Sequence, residues 1–172
     1  MTYNYKKDMH RIIVIGPPGS GKSTFARKLH SLLALPLHHL DNIWWKPDGS
    51  HISREEFDDK LNELLKEENW IIDGNYSRTF ETRIKAADTV IFLDYDPKIC
   101  IEGIIERVGK KRSDIPWVEQ EADEELIKLV NEYEKNNKSV LETLFQKYSN
   151  KRIIIFHERS EAEKWLSSLG GN

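Results

Sequence analysis

The sequence predicts an α/β fold in which a parallel sheet lies between two layers of helices, and two features of the chain carry that prediction. Short apolar runs alternate with stretches of helical period, and the runs are continuous rather than alternating apolar with polar. Helices that cover both faces of a parallel sheet bury every residue of a strand, which is why such runs are uninterrupted. Five runs read as strands: Arg11 to Ile15, Leu37 to Leu40, Trp70 to Ile72, Thr89 to Leu93 and Arg152 to Phe156.

In chain order, Tyr3 to Lys7 is polar, precedes the first strand and is expected to fray. After Gly21, Phe25, Leu29, Leu32 and Leu33 form one stripe of a helix that has to end before Pro36, whose ring excludes the residue ahead of it from helical geometry. Ser53 and Glu56 form a capping box ahead of the stripe Phe57, Leu61, Leu64 and Leu65, while Glu55, Glu56, Asp58 and Asp59 make a solvated acidic face. Asp96 as N-cap, Pro97 at the first helical position and Gly109 beyond the end bracket a helix with Cys100, Ile101, Ile104 and Val108 inward. A long helical region from Asp123 to Tyr148 is interrupted around Asn136 and Asn137. A last helix starts at Ser160, boxed by Glu163, with Ala162, Trp165, Leu166 and Leu169 inward.

The chain carries no internal repeat, low-complexity tract or Pro/Gly/Ser linker, so residues 1–172 read as one domain. Two segments, about 42–68 and about 110–120, are expected to project beyond the strand ends. The formal net charge of −3 supplies no global positive field, so direct DNA binding is disfavoured. Cys100 is the single cysteine, which excludes an internal disulfide and a CxxC metal site and suits a reducing compartment. The first apolar run stops at Gly16 and Pro17, too short for a signal peptide or a membrane span, and a cytoplasmic location without membrane attachment is expected.

Between the first strand and the first helix lies Gly16 Pro17 Pro18 Gly19 Ser20 Gly21 Lys22 Ser23, followed by Thr24. The pattern is GxxxxGK[ST] in the strand–turn–helix setting that it requires. Glycines let successive backbone N–H groups converge on one point, and the helix N-terminus adds its positive dipole end. Lys22 can reach the β and γ oxygens of a bound triphosphate, and the Ser23 hydroxyl can ligate Mg²⁺, so ATP and Mg²⁺ are the implied cofactors. A glycine-rich turn with a surface lysine is the bland alternative, and the setting argues against it.

Magnesium held by one hydroxyl and phosphate oxygens needs a carboxylate from a neighbouring strand end. Asp73 and Asp94 both qualify; Asp73 is preferred because Gly74 follows it and Arg78 lies within one turn. Asp73 also fits an Asp-Gly turn, and Asp94 a strand-end acid before the Asp96 cap. Two acceptor classes stay open. A phosphate-bearing acceptor such as a nucleoside monophosphate would use Arg54, Arg78 or Arg83, whereas a sugar, nucleoside or similar alcohol would use a carboxylate that takes its proton. Asp41, at the end of the second strand, fits that carboxylate or an N-cap equally well. Of Trp44 and Trp45, one is expected in the core and one at a ligand. His38 and His39 point to opposite faces of a strand and show no metal-ligand spacing.

Gly16 to Thr24, Leu40 Asp41 through Trp45 Lys46 Pro47, and Ile71 Ile72 Asp73 Gly74 Asn75 Tyr76 Ser77 Arg78 Thr79 resemble the adenylate-kinase-related family of DNA topology modulation proteins (FlaR), over about Arg11 to Trp165. The resemblance implies a three-layer P-loop NTPase fold of nucleotide-kinase type, with a five-stranded parallel sheet in the order 2-3-1-4-5. Where adenylate kinases carry Asp-Gly-Phe-Pro-Arg-Thr this chain has one residue more and no proline, and the resemblance implies for Arg78 the acceptor phosphate. It also implies a short lid that closes over ATP, with Arg107, Lys110, Lys111 and Arg112 at its start, Arg107 serving ATP and Arg112 the transfer. A solvated basic turn is the alternative for these four. Together the motifs imply a phosphotransferase that moves the γ-phosphoryl group of ATP to a small molecule. A nucleotide-dependent regulator of DNA topology and an ATP switch acting on a protein partner are the alternatives.

Overall fold

A computed structural model of the chain describes residues 8–171; Tyr3 to Lys7 lies outside them. Among the described residues five strands form one parallel sheet in the order β2-β3-β1-β4-β5. They are β1 (Arg11–Ile15), β2 (Leu37–His39), β3 (Trp70–Asp73), β4 (Thr89–Leu93) and β5 (Arg152–Phe156). The helices are α1 (Lys22–Leu33), α2 (Leu40–Trp44), α3 (Arg54–Leu65), α4 (Phe80–Ala86), α5 (Pro97–Glu106), α6 (Glu124–Tyr133), α7 (Ser139–Lys147) and α8 (Arg159–Gly170).

Side chains that alternate along each strand divide the core in two. Ile13, Ile15, Trp70, Ile72, Val90 and Phe92 pack with α3, α4 and α7 on one face, whereas Ile12, Val14, Ile71, Ile91 and Leu93 pack with α1, α5 and α8 on the other. Both sets are almost wholly buried, and each aliphatic side chain so placed contributes about 1.5–3 kcal/mol. The continuous runs in the sequence follow directly from that double coverage. No described helix is long and apolar enough to cross a membrane.

Four local expectations change. β2 ends at His39, because Leu40 to Trp44 turn into α2 and take Asp41 into the first turn of a helix. The box of α8 is formed by Glu158 and Glu161, two residues before the expected pair, since the helix begins at Arg159. Helix α4 has no counterpart in the sequence reading: it is short, and its N-cap Thr79 makes no side-chain cap hydrogen bond. Helix α5 also ends at Glu106, three residues before Gly109, so Val108 lies in the following turn, whereas three N-caps hold. Ser53 accepts from the Glu56 N–H, Asp96 from Lys98 with Pro97 behind it, and Asp123 from Glu125 and Leu126. The interruption near Asn136 is a wide turn over Glu134–Lys138 between α6 and α7.

Candidate active site

Parallel strands release their following loops at one edge of the sheet, where ligands of such folds collect. Here that edge opens into a cavity of about 1330 Å³, above the roughly 300–1,000 Å³ of a single small-molecule site. Such a volume has room for two ligands. The phosphate loop after central β1 forms its floor. Segments after β2 and β3 wall one side, and Tyr95, Arg107 and Arg159 lie on the other, while residues 110–123 close over it.

The loop has the features of an anion cradle. Gly19 and Gly21 hold φ of +77° and +89°, conformations open chiefly to glycine, and Ser20 N–H bonds back to the Pro17 carbonyl at 3.2 Å. α1 has no acidic residue in its first turn to neutralise its free N–H groups. The Ser20 hydroxyl is buried without a hydrogen-bond partner among the described residues, a donor left for a ligand. A bound triphosphate fits these groups. Pro18 to Thr24 line the cavity, whereas Gly16 and Pro17 do not: a Cβ on Gly16 would stand 2.9 Å from the Leu93 carbonyl, so this glycine serves the packing of the turn.

Lys22 donates to the Pro17 carbonyl at 3.0 Å. Burial pulls its pKa down, while Asp73 and Asp41 act to hold it up. Asp73 is 3% exposed and lies 2.9 Å from the His39 Nδ1. Burial works against the charged imidazole, but the hydrogen bond and charge of Asp73 outweigh it, and the His39 pKa ends above its ordinary value. Asp94 pairs with Lys138 at 2.9 Å and does not line the cavity. Among the described residues no cluster of His, Cys, Asp and Glu side chains would hold a metal alone. The donors fit Mg²⁺ shared with phosphate oxygens and water, its usual mode, through Ser23 and Asp73.

Asp41 faces the phosphate loop from α2. Burial pushes its pKa up, and the Tyr76 hydroxyl, which donates to it at 2.7 Å, acts the other way. Tyr76 holds that position in a left-handed conformation, φ +39°, stacked on Phe57 at 4.9 Å. Beneath this turn lies Arg83, fully buried, donating to the Gly74 carbonyl at 3.0 Å, to the Asn75 carbonyl and to the Thr79 hydroxyl. Arg78 is half-exposed, pairs with Asp58 through bonds of 2.7 and 2.8 Å, and does not line the cavity. Of the two tryptophans, Trp44 stacks on His51 at 4.4 Å and packs edge-on against Phe57, while Trp45 meets Trp117 edge-on at 5.4 Å.

The segment after α5 folds down on the phosphate loop. Gly109 N–H bonds to the Glu119 carbonyl at 2.7 Å and closes the base; at the tip Ser113 accepts from Arg27 and Asn42. Asp114, 1% exposed, accepts from the Ser23 hydroxyl at 3.3 Å. Arg107 and Arg112 both line the cavity, paired with Glu119 at 2.9 Å, and Arg112 also bonds Asp114. Burial lowers the Arg107 pKa; burial opposes Arg112 too, but Asp114 raises it overall. Lys110 and Lys111 line the cavity as exposed side chains.

Several contributors escaped the sequence. Asp114, Glu119 and Trp117 sit in a segment whose basic residues alone drew notice, and His39 has no ligand spacing. Gly103 is the case with a legible signal, an isolated glycine inside a helix. A Cβ there would stand 2.1 Å from the Gly19 carbonyl oxygen, so α5 presses directly on the phosphate loop.

A family model described as an AAA domain matches residues 12–127. Over 118 residues the chain is 30% identical to a shikimate kinase of Clostridium botulinum (strain 657 / Type Ba4), which spans 62% of this chain and 69% of that protein. Among solved structures, the shikimate kinase of Bacteroides thetaiotaomicron superposes with a TM-score of 0.61 at 19% identity, over 94% of this chain and 96% of that one. The shikimate kinase of Acinetobacter baumannii, in complex with shikimate, gives 0.64 at 16% identity over 96% and 94%. At these identities the likeness speaks for the fold.

Proposed function

Because the chain belongs to the AAA-domain family of P-loop proteins, we propose that it is an ATP-dependent phosphotransferase that moves the γ-phosphoryl group of ATP, with Mg²⁺, to a small-molecule acceptor. Within that family we place it with the adenylate-kinase-related topology modulation proteins, on the segments Leu40 to Pro47 and Ile71 to Thr79. One observation carries the reading: a two-ligand cavity with the phosphate loop as its floor and carboxylates, aromatics and a folded-down arginine-bearing segment around it.

In this reading the loop amides, the Ser20 hydroxyl and Lys22 hold the phosphates, and Ser23 and Asp73 hold Mg²⁺, which when bound neutralises charge on the β and γ oxygens. His39 orients Asp73. Arg107 and Arg112 exchange their carboxylate partners for phosphate oxygens, a swap that their bidentate geometry suits. The covering segment excludes water that would otherwise hydrolyse ATP. The acceptor enters between α2, the Gly74 to Tyr76 turn and Trp117.

Two measurements test the proposal. Calorimetry with Mg·ATP should register binding, and incubation with γ-labelled ATP and a mixture of nucleoside monophosphates, nucleosides, sugars and shikimate should transfer label to at least one of them. Absence of heat removes the nucleotide, and binding with label released only as inorganic phosphate removes the acceptor.

A further inference from the structure

The acceptor side of the cavity offers a flat ring and a proton acceptor, and among the described residues the arginines that the sequence offers to an anionic acceptor are not in its walls. The walls there are Asp41, Asp73, Trp44, Trp45, Tyr76 and, from above, Trp117. Two of those arginines are engaged elsewhere. Arg78 is clamped by Asp58 and Arg83 is fully buried beneath the Tyr76 turn, and neither Arg78, Arg83 nor Arg54 lines the cavity. Arg107, Arg112 and Lys22 belong to the phosphates of the donor, and Arg27, which also lines the cavity, donates to the Ser113 and Thr24 hydroxyls. A phosphate or carboxylate on the acceptor would meet the Asp41 carboxylate, and like charges repel strongly in a part-buried site.

The aromatics differ in what they leave open. Trp44 is stacked on His51, 9° from parallel, and is boxed in by Phe57 and Tyr76. Trp45 makes contacts only at 80° to 86° with Trp44, His51 and Trp117, so among the described residues it has no parallel-stacked partner. It is half-buried and lines the cavity, and its backbone N–H bonds to the Asp41 backbone carbonyl at 2.9 Å, so both residues stand at one turn of α2. Stacking on an aromatic side chain is how proteins hold nucleobases without charge.

We infer that the acceptor is an uncharged alcohol carrying a flat ring, of the nucleoside class, with its ring against Trp45 and its hydroxyl at Asp41. This rests on the phosphotransferase reading and narrows it. The acceptor hydroxyl oxygen forms the new bond to the γ-phosphorus, and the bond from that phosphorus to the β,γ-bridging oxygen breaks. ADP leaves with the electron pair of that bond, and the hydroxyl proton passes to the Asp41 carboxylate and on to water. Tyr76 is a positioning residue that holds the Asp41 carboxylate through its hydroxyl.

The test offers the full chain, with Mg·ATP, matched panels of nucleosides, uncharged sugars, nucleoside monophosphates and shikimate, with phosphorylated products read by mass spectrometry. Nucleosides should be turned over with kcat/KM at least about tenfold above every other panel. Trp45→Ala should raise KM for the best nucleoside roughly 5- to 100-fold, the scale of one lost base stack. Its affinity for ATP, measured by calorimetry, should be unchanged, which certifies the fold, and Trp45→Phe should recover most of the loss. Preferred turnover of a monophosphate, a sugar or shikimate overturns the inference while sparing the phosphotransferase. An unchanged KM in Trp45→Ala overturns it as well, as does ATP binding with no panel member phosphorylated. Lack of any heat with Mg·ATP strikes instead at the underlying reading.

Discussion

The two halves of the cavity are built by different means. On the donor side, in the proposed reading, a single stretch, Gly16 to Thr24, would supply turn, cation and metal ligand, with backbone amides as the chief phosphate donors. On the proposed acceptor side the lining groups come from α2, the turn after β3 and the segment after α5, and side chains would do the holding. Phosphate recognition through amides needs only a local conformation, so a short pattern suffices to encode it. Recognition through converging side chains needs several elements in register, and substitutions there change the ligand without changing the fold.

The sharpest way to break this comparison is Lys22→Ala. A cation at the transferring phosphoryl group is worth about 10³-fold or more in kcat/KM. The variant should lose turnover to that extent with its melting temperature nearly unchanged, as followed by steady-state kinetics and circular dichroism; retained turnover would remove the loop from the mechanism.

Asp41→Asn tests the other half. Loss of a proton acceptor should lower kcat by about 10²- to 10⁴-fold with ATP affinity intact. Stability should move the opposite way. Burial raises the Asp41 pKa in the folded state, so the folded protein holds this proton more tightly, and stability declines as pH rises from the unfolded value through the folded one. The variant should therefore melt higher at neutral pH and lose that advantage in acid, below the ordinary carboxylate range. A melting curve measured at both pH values decides it.

Gly103→Ala probes how the donor half is braced. Helix propensity alone predicts a gain of about 1 kcal/mol. The added carbon, however, would stand 2.1 Å from the Gly19 carbonyl, a backbone atom with no rotamer to yield. Sterics should win, weakening ATP about tenfold by displacing the cradle. A calorimetric Kd equal to that of the parent would show that the loop tolerates the shift.

Tyr76→Phe should have the smallest effect. It keeps the stack on Phe57 and removes the hydrogen bond that holds the Asp41 pKa down. The acid limb of the kcat/KM profile should move to higher pH, because the carboxylate loses a donor that favours its charged form. An unmoved limb would separate Asp41 from the proton transfer.

The sequence by itself determined the α/β class, the strands other than the end of β2, most helix caps and the phosphate loop, because each depends on contacts within a few residues. It also raised both Asp73 and Asp94, and only packing separated them: Asp73 faces His39 in the cavity, whereas Asp94 faces Lys138 outside it. Arg78 and Arg83 read alike as arginines near a strand end, yet one is held by Asp58 from α3 and the other is sunk beneath the turn. Asp114, Glu119, Trp117 and Gly103 gained their roles from neighbours distant in the chain. Local rules write the elements and the anion cradle into the sequence, while the choice of side chains that meet across the cavity belongs to the tertiary structure, since no short pattern records which distant residue will neutralise, bury or stack upon another.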